Sequence, residues 1–96
     1  MRMKLVVATI ASLLLATVAH AAEAPAGASA CSGCHPGSAA ENAPPRLIGM
    51  KAEDMKAAMQ AFRSGSRSAT VMDRIAKGFT ETEVAAIANW YATQLN

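Results

Sequence analysis

An all-α fold is predicted for this chain by three observations. Apolar residues recur at helical spacing, a capping box opens the last helical segment, and no stretch alternates apolar and polar residues as a half-buried strand would. Within Lys51–Ser64, Met55, Ala58, Met59 and Phe62 fall at i, i+3, i+4 and i+7, one apolar stripe, and Gly65 stands where a helix can end. Val71–Lys77 reads as a short helical turn closed by Gly78. In Thr80-Glu81-Thr82-Glu83 the threonine hydroxyl can accept from the Glu83 amide while the Glu83 carboxylate reaches back, and Val84, Ile87, Ala88, Tyr91 and Leu95 then share one face. Gly37–Pro45 and Ser64–Ala69 are rich in glycine, proline and small polar residues and read as loops. Ala22–Ser29 is expected to fray ahead of a first helix. There is no internal repeat.

The chain's first residues follow a different logic. Met1-Arg2-Met3-Lys4 is a positive n-region, Leu5 to Val18 is an almost unbroken apolar run, and Ala19-His20-Ala21 gives the small-x-small pattern of a cleavage site. The run is shorter than the ~20 residues a membrane-spanning helix needs. Residues 1–21 are therefore expected to be a signal peptide cleaved after Ala21, with 22–96 as one exported, periplasmic domain and no stable membrane insertion after cleavage. Removing 21 residues from 96 leaves 75. Losing Arg2 and Lys4 takes nine basic residues to seven, against seven acids, so the formal charge of +2 belongs to the leader. The remaining basic residues are dispersed, which argues against a nucleic-acid partner.

A domain this short struggles to bury a sufficient core, and its only aromatic residues are Phe62, Phe79, Trp90 and Tyr91. The chain holds two cysteines, in Cys31-Ser32-Gly33-Cys34-His35. Thiols at i and i+3 lie on one helical turn, the spacing that captures a c-type haem through its two vinyl groups, and the adjacent histidine can ligate the iron. A zinc site needs about four ligands and these residues offer three; a thioredoxin-type pair belongs beside a βαβ pattern, which is lacking. One covalent haem c is thus expected, with Cys31 and Cys34 as attachment points and His35 as proximal ligand.

With His20 assigned to the leader, no second histidine is left, so a methionine is expected as the sixth ligand. Met55 and Met59 lie on a helical stripe and read as core filler. Met50 follows His35 too closely to cross the haem plane. Met72, beyond the Ser/Gly loop, is favoured. A His/Met iron has a raised potential and no open position, which suits electron transfer. Pro45, in Pro44-Pro45-Arg46-Leu47-Ile48-Gly49, can offer a carbonyl to the other ring N–H of His35 and so orient it; a plain surface turn is the other reading of that segment. Trp90 and Tyr91 are expected to pack the last helix against the first rather than to relay electrons.

Together these residues resemble a class I c-type cytochrome over nearly the whole exported domain. In that family Cys-x-x-Cys-His is followed by Pro-x-Leu-x-Gly, here Pro45-Arg46-Leu47-Ile48-Gly49, then by a methionine ligand and a last helix with adjacent aromatics, here Trp90-Tyr91. The resemblance implies N- and C-terminal helices packed around one haem, with the Pro45 carbonyl accepting from His35. Ala61-Phe62-Arg63-Ser64-Gly65-Ser66-Arg67 and Thr70-Val71-Met72-Asp73-Arg74-Ile75-Ala76-Lys77-Gly78-Phe79 are similar to the cytochrome c4-related group, above all the cytochrome subunit of flavocytochrome c sulfide dehydrogenase. That implies a role as electron acceptor from an FAD-containing flavoprotein subunit that oxidises sulfide, with a downstream acceptor, and no catalysis of its own. One haem motif, where many relatives have two, keeps a free-standing shuttle of the cytochrome c5 or c553 kind as the alternative. A haem enzyme or gas sensor with an open sixth position is a third class, which Met72 argues against. Pro36 stands where relatives commonly have glycine.

Overall fold

The computed structural model describes residues 23–94, so the expected leader lies outside the described residues. Four helices follow one another: α1 (Ala28–Cys31), α2 (Ala52–Ser64), α3 (Met72–Lys77) and α4 (Glu81–Thr93), with no strand among the described residues. The fold is all-α, as a small cytochrome c fold requires. Helix α2 packs on both α3 and α4.

Local sequence accounts for most boundaries. Lys51, extended at φ −60° and ψ 132°, is the N-cap of α2 rather than its first residue, and Gly65 closes that helix in the left-handed region at φ 81°. Glu53 and Asp54 in the first turn and Arg63 in the last complement the helix dipole. Helix α3 begins at Met72, with Val71 as its cap residue. The capping box of α4 is formed on both sides: the Glu83 amide donates to Thr80 Oγ1 at 3.1 Å, and the Thr80 amide donates to Glu83 Oε1 at 3.0 Å. The Thr80 amide first, and the Thr80 hydroxyl beside it second, hold the Glu83 carboxyl below the ordinary carboxylate range.

The N-terminal end differs from expectation in two ways. The chain does not fray through Ser29: α1 starts at Ala28, which is wholly buried in one cluster with Met55, Ile87, Ala88 and Tyr91. The cause is tertiary, since the Tyr91 hydroxyl on α4 donates to the Ala28 carbonyl at 2.6 Å. The first helix is also a single turn that stops at Cys31. Gly33 is a poor helix former, and Pro36 biases His35 away from the α region, so the helix does not run on through the motif. Val84 is half-buried on the predicted face of α4, Ile87, Ala88 and Tyr91 are buried, and Leu95 lies outside the described residues. Tyr91 packs the last helix on the first, as expected, and Trp90 meets it edge-on with ring centroids 4.8 Å apart.

Candidate functional site

After Cys31 the backbone continues as hydrogen-bonded turns. The Cys34 amide donates to the Cys31 carbonyl at 3.2 Å and the His35 amide to the same oxygen at 2.9 Å, so the two thiols and the imidazole stay on one winding of chain. Cys31 is half-buried and Cys34 exposed. Burial raises the Cys31 thiol above its ordinary pKa, partly offset by a backbone hydrogen bond. Its Sγ lies 3.7 Å from the Gly27 carbonyl, within reach of a weak S–H donor.

His35 Nδ1 lies 2.6 Å from the Pro45 carbonyl oxygen. A carbonyl can only accept, so Nδ1 carries the proton and Nε2 keeps its lone pair for a metal. This is the contact that an orienting role for Pro45 requires. The proline loop is itself held: Met50 donates to the Leu47 carbonyl at 3.0 Å, and Gly49, at φ 78°, donates to the Tyr91 carbonyl at 3.1 Å.

Cys31, Cys34, His35, Pro45 and Met72 all line one cavity of about 710 Å³. Its walls are largely aliphatic and aromatic, with Leu47, Phe62, Phe79 and Ile87 among them. Asp54 and Arg67 are its charged wall residues apart from the titratable His35 and the two thiols. A second depression, of about 700 Å³ between α2 and α4, is lined by Glu53, Lys56, Arg63 and Glu81 and holds neither thiol nor imidazole, so the chemistry points to the first. All four methionines of the described residues, Met50, Met55, Met59 and Met72, border the apolar cavity. Met55 is also buried in the core, in line with its reading as filler. Met50 and Met59 are half-buried at the cavity wall.

The residues fit a haem. The cavity pairs an apolar interior with two thiols, an imidazole with a free Nε2 and soft thioethers, the donor set of c-type haem ligation. A bare metal ion fits less well, since no three His, Cys, Asp or Glu side chains among the described residues converge on one point.

Two positioning residues, Gly27 and Arg63, escaped the sequence reading, and Tyr91, expected there only to pack the last helix on the first, does more. Tyr91 holds Ala28 with its hydroxyl and Gly49 with its carbonyl, bracing both loops that carry site residues. Gly27, at φ 87°, lies so close to Phe79 that a Cβ there would meet the ring at 2.6 Å. Arg63 donates to the Phe79 carbonyl, tying α2 to the α3–α4 junction. The positive φ and the close approach at Gly27 depend on residues distant in sequence, so only the presence of a glycine was visible in advance.

No protein-family model matches the chain. Two curated relatives do. One, named thiosulfate dehydrogenase electron acceptor, from Thiomonas intermedia (strain K12), is 34% identical over 95 residues, 96% of this chain and 44% of that protein. The other, named cytochrome subunit of sulfide dehydrogenase, from Chlorobaculum tepidum (strain ATCC 49652 / DSM 12025 / NBRC 103806 / TLS), is 37% identical over 62 residues, 64% of this chain and 56% of that protein. The chain belongs with the c-type cytochrome subunits. It spans about half the length of the curated relatives it matches. The all-α cytochrome reading and the electron-transfer class are thereby supported together.

Proposed function

We propose that this chain is a periplasmic electron-transfer subunit carrying one covalent haem c, and that it accepts electrons from an FAD-containing sulfide-oxidising flavoprotein. The observation that carries the reading is the convergence of Cys31, Cys34, His35 and Met72 on one apolar cavity, with His35 Nδ1 held on the Pro45 carbonyl. In this reading Cys31 and Cys34 would fasten the haem, His35 would offer Nε2 to the iron, and Met72 would offer its thioether. The group supplies one-electron chemistry at its iron. The chain's contribution is to hold it by four side chains, exclude water with the apolar wall, and present a docking face. Val71, 49% exposed, and Ile75, 38% exposed, are the large hydrophobics left at the surface among the described residues, and both border the cavity beside Met72. That placement suits a partner that must approach closely without strong charge steering.

A second reading has its own support. The relative matched over nearly the whole chain is named an electron acceptor of thiosulfate dehydrogenase. On that reading the donor is a thiosulfate-oxidising enzyme and the chain is a diffusible carrier rather than a fixed subunit. Gel filtration of the native periplasmic protein, with haem and flavin absorbance followed across the peak, separates the two. Coelution of both, with haem reduced on adding sulfide, is the expected result. A lone haem peak reduced by its source extract with thiosulfate and not with sulfide overturns the flavoprotein reading. A native protein without covalent haem overturns both.

A further inference from the structure

We propose that the face between α2 and α4 is covered by a second copy of this chain, with the two α2 helices antiparallel. The depression of about 700 Å³ there is lined along α2 by Glu53, Lys56, Ala57, Gln60, Arg63 and Ser64. These fall at i, i+3, i+4, i+7, i+10 and i+11, a single stripe running the length of the helix. The floor is apolar. Met59 of α2 and Val84 of α4 are half-buried there, and both also border the apolar cavity, so one layer of side chains parts the two spaces. Val71 and Ile75 do not border the depression, so a copy seated on it leaves that exposed pair free for an electron donor.

The charges on this face select the occupant. The lining holds two acids, Glu53 and Glu81, and two bases, Lys56 and Arg63, so a partner patch of either sign meets repulsion as well as attraction. The stripe itself, reversed, resolves that conflict. Glu53 stands in the first turn of α2 and Arg63 in the last, about 15 Å apart along the axis. A second α2 turned end for end about Ala58 sets Glu53 opposite the partner's Arg63 and, by the twofold, Arg63 opposite the partner's Glu53. A parallel copy sets like charge on like. Between the two pairs stands Ala57, small and exposed, which lets the helices approach closely over the partner's Met59. Both end groups have capacity to spare. The Arg63 guanidinium gives one nitrogen to the Phe79 carbonyl and has other N–H groups, and Glu53 engages Lys56 at 2.6 Å through one carboxylate oxygen. Exposed pairs of this kind fix register and orientation, while burial of the apolar floor supplies the affinity.

The test is analytical ultracentrifugation of the protein isolated from its native compartment, with melting temperature recorded for every variant. Wild type is expected to sediment as a concentration-dependent dimer that weakens as salt rises. Glu53→Arg and Arg63→Glu each set like charges together at both ends, and each should lose the dimer. Mixed in equal amounts the two variants should form one again, since each end then pairs an arginine with a glutamate. Arg63→Glu also gives up the Phe79 contact, so Ala57→Trp, which blocks close approach from an exposed position without changing charge, gives a second disruption and should also be monomeric. A monomeric wild type overturns the proposal. So does a dimer that survives Glu53→Arg and Ala57→Trp, or a mixture of folded variants that fails to associate. Cosedimentation of wild type with a flavoprotein, lost in Ala57→Trp, gives the groove to an unlike partner and overturns the second-copy assignment equally.

Discussion

Replacing Tyr91 by phenylalanine removes one oxygen atom and tests how the site is braced. The hydroxyl donates to the Ala28 carbonyl at 2.6 Å, across 63 residues of sequence, from a side chain only 4% exposed. A buried hydrogen bond of this kind contributes about 1 kcal/mol net. In a domain of this size each kilocalorie moves Tm by about 4–8 °C, so Tyr91→Phe should melt about 4–8 °C lower at neutral pH by far-UV circular dichroism. The pH dependence gives a second handle. Burial, and to a lesser degree the Cys31 charge, raises the Tyr91 phenol above its ordinary value near 10. A phenol raised in the folded state lends stability that is fully present below the unfolded-state pKa and is lost as pH rises through the folded one. The gap between wild type and Tyr91→Phe should thus close as pH climbs beyond about 10. Because Tyr91 is the chain's only tyrosine, tyrosinate absorbance follows that titration directly. With Cys31 alkylated by haem the thiolate contribution disappears, and burial alone should keep the midpoint above 10. Equal Tm values at neutral pH, or a phenol titrating at its ordinary value, would refute the bracing argument.

Other expectations follow from the same geometry. Gly27→Ala forces a left-handed alanine and drives its Cβ to 2.6 Å from the Phe79 ring, so a loss of about 2–4 kcal/mol is expected in denaturant melts. Gly65→Ala has a similar φ but open space around it, and should cost only about 1 kcal/mol. Thr80→Ala removes half the capping box at about 1 kcal/mol. The depressed Glu83 carboxyl lends stability above the ordinary carboxylate range and loses it as pH falls through its folded value; in acid melts Glu83→Gln should lack that step, while Thr80→Ala, which keeps the backbone donor, should retain most of it. Met72→Ala in the haem-loaded protein should lose the sulfur-to-iron charge-transfer band and lower the potential; an unchanged spectrum would pass the ligand role to Met50, Met55 or Met59, which border the same cavity.

What the sequence disclosed was whatever is decided within one or two turns. The capping box at Thr80 and the glycine stop at Gly65 depend on residues three or four apart, and both were legible. The Pro45 contact with His35 spans ten residues; composition left a surface turn open there, and the resemblance of Pro45-Arg46-Leu47-Ile48-Gly49 to the family pattern favoured the contact. The Tyr91–Ala28 bond depends on how α4 meets α1, which periodicity does not specify, and without it the chain through Ser29 reads as a fraying tail. The methionines show a different limit. Helical spacing separated Met55 from Met72 as filler from candidate, yet both reach the same cavity wall, because one side of α2 faces the core and the cavity together. A stripe states which face is apolar, not what it is apolar for.

The core explains why so many of these residues converge on one space. Of the six buried hydrophobic residues among those described, Ala28, Ala76 and Ala88 are alanines, and no large side chain is wholly enclosed. At about 25 cal/mol per Å² of buried apolar surface, three alanines and three larger side chains supply little of what a chain of this length needs. The bulk of its large apolar side chains, Leu47, Phe62, Phe79 and the methionines, instead border the cavity. A flat apolar group placed there would bury their surface and bind the folded chain far better than the unfolded one, so ligand affinity and folding stability become one free energy. Tyr91 then has a defined place in that coupling. By pinning Ala28 and Gly49 to α4 it holds the cysteine turn and the proline loop in register before the group arrives, which lowers the ordering cost of binding.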